Sequence, residues 1–196
     1  NRLVLELGGK DPMIILKDAD LERAAKYAVN GSLRNSGQVC VSVERIYIED
    51  KVADKFEKLV LENLKNWKVG KSTDDVDMGP MVNDTQRAHV LTQIEEARRK
   101  GAKLLHGGSK IEGEGFFMEP TVLSNLSDKH DIMVRETFGP VVCIQKVKSA
   151  EEAVEKANNS SFGLGATVWT KNQNKGKEIA RQVESGMVGV NQGIGG

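Results

Sequence analysis

Cys40 is the residue of this 196-residue chain that is most readily assigned to covalent chemistry. It follows the polar segment Asn35, Ser36, Gly37 and Gln38, where the backbone can turn and leave a sulfur atom accessible to solvent. A thiolate in such a position can attack a carbonyl carbon. A cysteine can also be a small buried hydrophobe, so this segment by itself leaves both interpretations open.

Glu6 is the candidate partner of this thiol. It interrupts the apolar run of residues 3–7 and is followed by Gly8, Gly9 and Lys10. We predict a strand over residues 3–7 that ends near Glu6, where apolar neighbours would exclude water from the carboxylate and strengthen it as a general base. The alternation of side chains along a strand also permits an ordinary outward-facing glutamate at this position.

A third segment, residues 136–141, reads Glu-Thr-Phe-Gly-Pro-Val. The first segment is Leu-Glu-Leu-Gly-Gly-Lys at residues 5–10, and the second is Gly-Gln-Val-Cys at residues 37–40. In this order and spacing, the three segments resemble the general-base, nucleophile and cofactor signatures of the aldehyde dehydrogenase superfamily. The resemblance covers nearly the whole chain, so we interpret residues 1–196 as the cysteine-bearing catalytic domain of such an enzyme.

The resemblance implies oxidation of an aldehyde to a carboxylic acid with NAD or NADP as the cofactor. Cys40 would form a thiohemiacetal and then a thioester, and Glu6 would activate the water that hydrolyses the thioester. Glu136 would accept hydrogen bonds from ribose hydroxyls, and Phe138 would pack against the nicotinamide ring. Without the resemblance, Glu136 also fits a capping or salt-bridging residue and Phe138 a core aromatic.

The resemblance also implies parts of an enzyme that these residues do not include. In the family, a nucleotide-binding domain precedes this one and carries the oxyanion-hole asparagine, and a further segment follows. The first residue is Asn1 and not methionine, so we interpret the chain as a fragment. We expect little or no dehydrogenase activity from it alone, and a homo-oligomer in the full enzyme. Two alternatives stay open, a cofactor-independent thiol hydrolase and a noncatalytic assembly domain.

The composition argues against several other classes of protein. The 28 basic and 28 acidic residues are dispersed, which argues against a nucleic-acid partner, and no apolar run reaches the ~20 residues of a membrane span. Cys40 and Cys143 form neither a disulfide framework nor a zinc motif, which agrees with a reducing, cytoplasmic compartment. We predict no metal site, inert packing for Cys143, and structural or solvated roles for the three histidines.

The elements that must position these residues alternate between extended and helical patterns. This alternation predicts an α/β fold with a mainly parallel, twisted sheet covered by helices. Strands are predicted over residues 3–7, 13–16, 45–49, 102–106, 141–144, 163–170 and 187–191. Helices are predicted from Asp18 or Asp20 to Leu33, over 52–66 and 85–100, from Ser149 or Glu151 to Asn158, and over 172–184.

Overall fold

The computed structural model of the chain describes residues 2–71 and 73–194, so residues 1, 195 and 196 at the ends of the predicted domain lie outside the described part. Within the described residues, seven strands form one sheet. The strands are β1 (Asp11–Ile15), β2 (Val43–Glu49), β3 (Lys103–His106), β4 (Thr121–Ser124), β5 (Val141–Val147), β6 (Gly165–Trp169) and β7 (Met187–Val190). The helices are α1 (Leu21–Leu33), α2 (Asp50–Leu64), α3 (Asp84–Arg99), α4 (Ala150–Asn158) and α5 (Gln173–Ala180).

The strand order is β3-β4-β5-β2-β1-β6-β7. Every neighbouring pair is parallel except β3 with β4, which is antiparallel. The predicted α/β class with a mainly parallel sheet is therefore confirmed. The central position of β2 agrees with the prediction for residues 45–49.

Helices cover both faces of the sheet, so every residue of the central strands β1 and β2 is buried. Successive residues of β1 point to opposite faces. Met13 and Ile15 pack with α1 and α2, whereas Ile14 packs with the buried residues of α3, α4 and α5. The core thus has two layers, one on each side of the sheet.

Helix α1 begins where the sequence indicates. The side chain of Asp20 accepts a hydrogen bond from the backbone N–H of Arg23 and caps the helix, as predicted for Asp18 or Asp20. Its apolar stripe includes Leu21, Ala28 and Leu33, all of which are buried. Because α1 is packed along its whole length, the chain leaves Leu33 at a defined place beside the sheet.

Two predictions about strands differ from the structure. Residues 3–7 form no strand among the described residues, and the side chains of Leu3, Val4, Leu5 and Leu7 are 66–87% exposed. Apolar alternation alone suggested a strand there, but no neighbouring strand pairs with this segment. Conversely, the sequence did not predict β4, because four residues are too short to show a clear period.

None of the helices within residues 2–71 and 73–194 combines the length and the apolar character needed to cross a membrane.

Candidate active site

The three sequence segments meet at one edge of the sheet. Each of them immediately precedes a strand: residues 5–10 precede β1, residues 37–40 lie just before β2, and residues 136–140 precede β5. These three strands are parallel neighbours in the order β5-β2-β1, so their amino-terminal ends lie side by side. The candidate site is therefore at the amino-terminal edge of the sheet.

A left-handed turn between α1 and β2 presents Cys40. Asn35, Ser36 and Gly37 have φ values of 52°, 58° and 68°, a region that residues other than glycine rarely adopt. Such strained backbone is held by surrounding contacts and is common at functional sites. One contact is the hydroxyl of Ser36, which donates a hydrogen bond to the carbonyl of Gly79 at 2.8 Å. The turn leaves Cys40 free and exposed, which agrees with the interpretation as an accessible thiol and not with that as a small buried hydrophobe.

Glycines allow the three segments to approach each other closely. A Cβ atom on Gly9 would lie 1.9 Å from the carbonyl oxygen of Cys40, and one on Gly37 would lie 2.0 Å from the carbonyl oxygen of Gly139. Both obstacles are backbone atoms that a side chain could not displace. The Cys40 backbone is thus packed directly against the first segment, and the turn before it against the third.

Glu136 and Phe138 lie beside this junction. The Oε1 atom of Glu136 accepts a hydrogen bond from the N–H of Gly9 at 2.7 Å, which orients a half-buried carboxylate. Phe138 is half-buried and also has a left-handed backbone, with φ of 49°. The structure thereby brings Cys40, Glu136 and Phe138 together.

Glu6 is not held at this junction by any polar side-chain contact among the described residues. Its side chain is exposed, and it has no hydrogen bond or ion pair among the described residues. The expectation of a carboxylate desolvated at the end of a strand is wrong for this structure, because the apolar neighbours Leu5 and Leu7 are themselves exposed. Glu6 nevertheless lies only three residues before Gly9, which limits its Cα to within about 11 Å of the Gly9 Cα.

A buried ionic network under the site was not predicted. The ammonium group of Lys10 lies 2.5 Å from the Glu44 carboxylate and 3.1 Å from the hydroxyl of Thr137. Lys10 and Glu44 each follow a predicted catalytic residue by four positions, and Glu44 directly precedes the strand predicted over residues 45–49. A charged residue in such a place is the signal that could have identified this pair, since buried charges require partners.

Asp11 is a second buried acid that was not predicted. Its Oδ1 atom accepts a hydrogen bond from the N–H of Gly165 at 3.0 Å, and its Oδ2 atom has no partner within the described part of the chain. Burial raises the pKa of Asp11 to about 7. The N–H of Gly165 opposes this rise, and the nearby carboxylate of Glu44 adds to it. Asp11 therefore changes charge near neutral pH.

A cavity of about 130 Å³ lies beside the segment that carries Cys40. Val39 and Val41, which flank Cys40 in sequence, line it together with Tyr27, Asn30 and Arg34. Arg34 has no salt bridge or side-chain hydrogen bond to any other described residue. The cavity therefore offers apolar walls and one cationic group.

Comparison with known proteins identifies the family. The model of the aldehyde dehydrogenase family matches residues 1–196. The chain belongs to the aldehyde dehydrogenase family. A protein of Mycobacterium tuberculosis named "Putative succinate-semialdehyde dehydrogenase (NADP(+)) 2" is 42% identical over 190 residues, which are 96% of this chain and 37% of that protein.

Solved structures agree with this assignment to the aldehyde dehydrogenase family. Lactaldehyde dehydrogenase from Escherichia coli superposes with a TM-score of 0.94 at 34% identity, covering 97% of this chain and 40% of that one. Betaine aldehyde dehydrogenase from Staphylococcus aureus, solved with NAD+, gives 0.91 at 35% identity, covering 95% and 38%. The chain thus spans about two fifths of the length of the relatives it matches.

The second cysteine and two histidines of this aldehyde dehydrogenase chain are accounted for by packing and local hydrogen bonds. Burial raises the pKa of the Cys143 thiol to about 12, in keeping with its predicted packing role. No group of three or more histidine, cysteine or acidic side chains is arranged to hold a metal ion in residues 2–71 and 73–194. His130 is buried beside Ser127, and His106 contacts the carbonyl of Pro120.

Proposed function

We propose that this chain is the cysteine-bearing catalytic part of an enzyme that oxidises an aldehyde to a carboxylic acid with NAD or NADP. The observation that supports this proposal most strongly is the exposed Cys40 thiol at the junction of three segments. Gly9 and Gly139 pack against the nucleophile loop, and Glu136 is oriented beside it. Relatives that carry the same cofactors in their names or structures support the choice of NAD or NADP.

The proposed chemistry centres on the sulfur of Cys40. The thiolate adds to the aldehyde carbon and forms a thiohemiacetal, whose oxyanion the backbone N–H of Cys40 can stabilise. Bound NAD or NADP supplies the acceptor for the hydride that leaves this carbon, and the sulfur adduct becomes a thioester. Glu6 then takes a proton from water, which attacks the thioester, releases the carboxylic acid and regenerates the Cys40 thiol.

Glu136 and Phe138 fit the proposed role in binding the cofactor. One oxygen of the Glu136 carboxylate is fixed by the N–H of Gly9, which leaves the other able to accept a hydrogen bond from a ribose hydroxyl. The half-buried Phe138 side chain provides an aromatic surface in the same segment. We propose that these two residues orient the nicotinamide end of the dinucleotide.

The role of Glu6 requires a change in its surroundings. Its exposed carboxylate is tethered close to Cys40 through Gly9, whose backbone abuts the Cys40 carbonyl. We propose that Glu6 turns toward the thioester when the exposed apolar segment around it is covered by other parts of the enzyme. Those parts would also complete the cofactor site, so the 196-residue chain alone is expected to show little or no dehydrogenase activity. A cytoplasmic homo-oligomer remains the predicted form.

Arg34 suggests the class of aldehyde. A guanidinium without an ionic partner, in a cavity whose walls flank the nucleophile, favours a substrate with an anionic group beyond its aldehyde carbon. The relative from Mycobacterium tuberculosis, named for a semialdehyde of this kind, supports the same choice. We therefore propose an aldehyde that carries a carboxylate.

The decisive experiment measures aldehyde-dependent reduction of NAD+ and NADP+ by the protein made from its complete coding sequence. Cys40→Ala should abolish the activity, and Cys143→Ala is the matched control that should keep it. Glu6→Gln should keep a rapid first turnover and slow the steady state, because the thioester forms but is not hydrolysed. Substantial steady-state activity in Cys40→Ala would refute the proposal.

Substrate class is tested with two aldehydes of equal length, one with a terminal carboxylate and one neutral. Arg34→Gln should raise KM for the carboxylated aldehyde about tenfold or more, since it removes a charge-assisted hydrogen bond. KM for the neutral aldehyde should change little. Arg23→Gln, which removes an exposed arginine of α1, is the control. Equal changes for both aldehydes would contradict an anion-binding role for Arg34.

A further inference from the structure

The Glu44 carboxylate holds the third segment through its backbone. Oε2 accepts a hydrogen bond from the N–H of Thr137 at 2.8 Å, and Oε1 accepts one from the N–H of Phe138 at 2.8 Å. Oε2 also accepts from the ammonium group of Lys10. Glu44 is buried, so these donors replace the water that its charge would otherwise bind.

Gln86 holds the same two residues from the other side. Its Nε2 atom donates to the carbonyl of Thr137 at 2.9 Å and to the carbonyl of Phe138 at 3.1 Å. Both N–H groups and both carbonyls of residues 137 and 138 are therefore engaged by two side chains. This explains how Phe138 is kept in a left-handed conformation that a phenylalanine does not favour.

The network links all three segments of the site. Lys10 belongs to the first segment, Glu44 follows the nucleophile on β2, and Thr137 and Phe138 belong to the third. Glu136, which directly precedes this backbone, and Phe138, which is part of it, are the two residues assigned to the cofactor. A small rotation at residue 137 or 138 would displace both of their side chains.

We propose that Glu44 and Gln86 are positioning residues, which hold the backbone of residues 137 and 138 so that Glu136 and Phe138 are oriented for the nicotinamide cofactor. This inference rests on the proposed function and adds to it two residues that act through the backbone of residues 137 and 138. Lys10 has a supporting role, because its buried ammonium neutralises the Glu44 carboxylate.

Glu44→Gln is an informative substitution because it keeps the shape of the side chain. A glutamine has one acceptor oxygen and one amino group, and the amino group cannot accept a hydrogen bond from a backbone N–H. Because each carboxylate oxygen accepts one of the two hydrogen bonds of 2.8 Å, at least one of these two bonds is lost. Glu49→Gln is the matched control, because Glu49 is also buried on β2 and accepts a hydrogen bond from a backbone N–H, that of Lys17 at 2.6 Å, but at the other end of the strand.

The first measurement is amide hydrogen exchange without cofactor, by NMR or by mass spectrometry of peptides that cover residues 136–139. Protection of at least one of the Thr137 and Phe138 amides should fall about tenfold or more in Glu44→Gln, since a hydrogen bond to a charged group is lost. It should remain at the parent level in Glu49→Gln. Unchanged protection in Glu44→Gln would overturn the inference.

The second measurement is the dissociation constant of NAD+ and NADP+, with KM and kcat, for the protein made from its complete coding sequence. Gln86→Met is the second variant, because Gln86 is only half-buried and its replacement should not prevent folding. Both Glu44→Gln and Gln86→Met should weaken cofactor binding about tenfold and change the cofactor KM more than kcat. Equal cofactor affinity in Gln86→Met and the parent would overturn the inference even if Glu44→Gln failed to fold.

The two proposals fail in different ways. If Cys40→Ala kept its activity, the proposed function would be wrong, whereas the exchange rates would still show whether Glu44 holds residues 137 and 138. If Cys40→Ala were inactive and both positioning variants bound the cofactor like the parent, the function would stand and the positioning role would be wrong.

Discussion

Asp11→Asn should remove a pH dependence of stability that originates at the first residue of β1. Asp11 is only 3% exposed, and its Oδ2 atom has no hydrogen-bond partner among the described residues. Burial is the main reason why the pKa of Asp11 rises from 3.8 to about 7, with the carboxylates of Glu44 and Glu136 contributing further. The native protein consequently binds this proton more tightly than the unfolded chain does.

The sign and size of the effect follow from the two pKa values. Because the folded value is the higher one, the stabilisation is complete below pH 3.8 and is lost as the pH rises through about 7. Between pH 5 and pH 8 the free energy of unfolding should fall by about 3 kcal/mol more in the parent than in Asp11→Asn. Titrating groups that do not interact with Asp11 are common to both proteins and cancel in the comparison.

The assay is urea unfolding followed by circular dichroism at several pH values from 5 to 8, with the free energy extrapolated linearly to water. Asp50→Asn is the control, because the Asp50 side chain is exposed at the start of α2 and should leave the pH profile of the parent unchanged. The reasoning is refuted if the parent and Asp11→Asn show parallel profiles, or if the parent gains relative stability as the pH rises.

Three further predictions concern reactivity and packing. Iodoacetamide should label Cys40 and spare Cys143 in the native chain. Cys40 is exposed, whereas burial raises the pKa of the Cys143 thiol to about 12. The intact mass of the labelled protein should show a single adduct. Gly37→Ala should destabilise the fold by roughly 2 kcal/mol or more, because its Cβ would meet the carbonyl of Gly139. Phe56→Ala should cost about 3–5 kcal/mol, since Phe56 is fully buried on α2. Both are measured by urea unfolding.

Each of these three has its own control. Cys40→Ala should show no adduct, and labelling of both cysteines in the folded parent would contradict the first prediction. Gly79→Ala should change stability by less than about 0.5 kcal/mol, because no atom of another segment lies within 4 Å of the position that its added Cβ would take. Lys55→Ala, exposed beside Phe56, should have a similarly small effect, and comparable losses in a variant and its control would contradict the packing argument.

Patterns that depend on neighbouring residues were predicted well. The start of α1 at Asp20 and its end at Leu33 follow from a cap and an apolar stripe, both of which lie within one helix. The apolar run of residues 3–7 shows the limit of such reasoning. A strand forms only where a partner strand satisfies its backbone, and alternation in one segment does not reveal whether a partner exists.

In the candidate site, too, local features could be predicted from the sequence and contacts between distant residues could not. Cys40 could be singled out from its polar surroundings, and the structure bears out that it is accessible. The position of Glu44 beside a predicted strand indicates that it needs a partner, but the sequence does not show that it holds residues 137 and 138, because its partners Lys10, Thr137 and Phe138 are 34 to 94 residues away. Its neighbours in sequence belong to the strand and say nothing about these contacts.

The sequence by itself determined the family resemblance, the alternation of helices and strands, and the candidate nucleophile, because each of these is carried by residues close together along the chain. The tertiary structure decided what surrounds them. The order β5-β2-β1 places three distant segments at one edge of the sheet, where Gly9 meets Cys40 and Glu44 holds residues 137 and 138. Such contacts arise only when parallel strands align, because parallel pairing joins residues that are far apart in sequence.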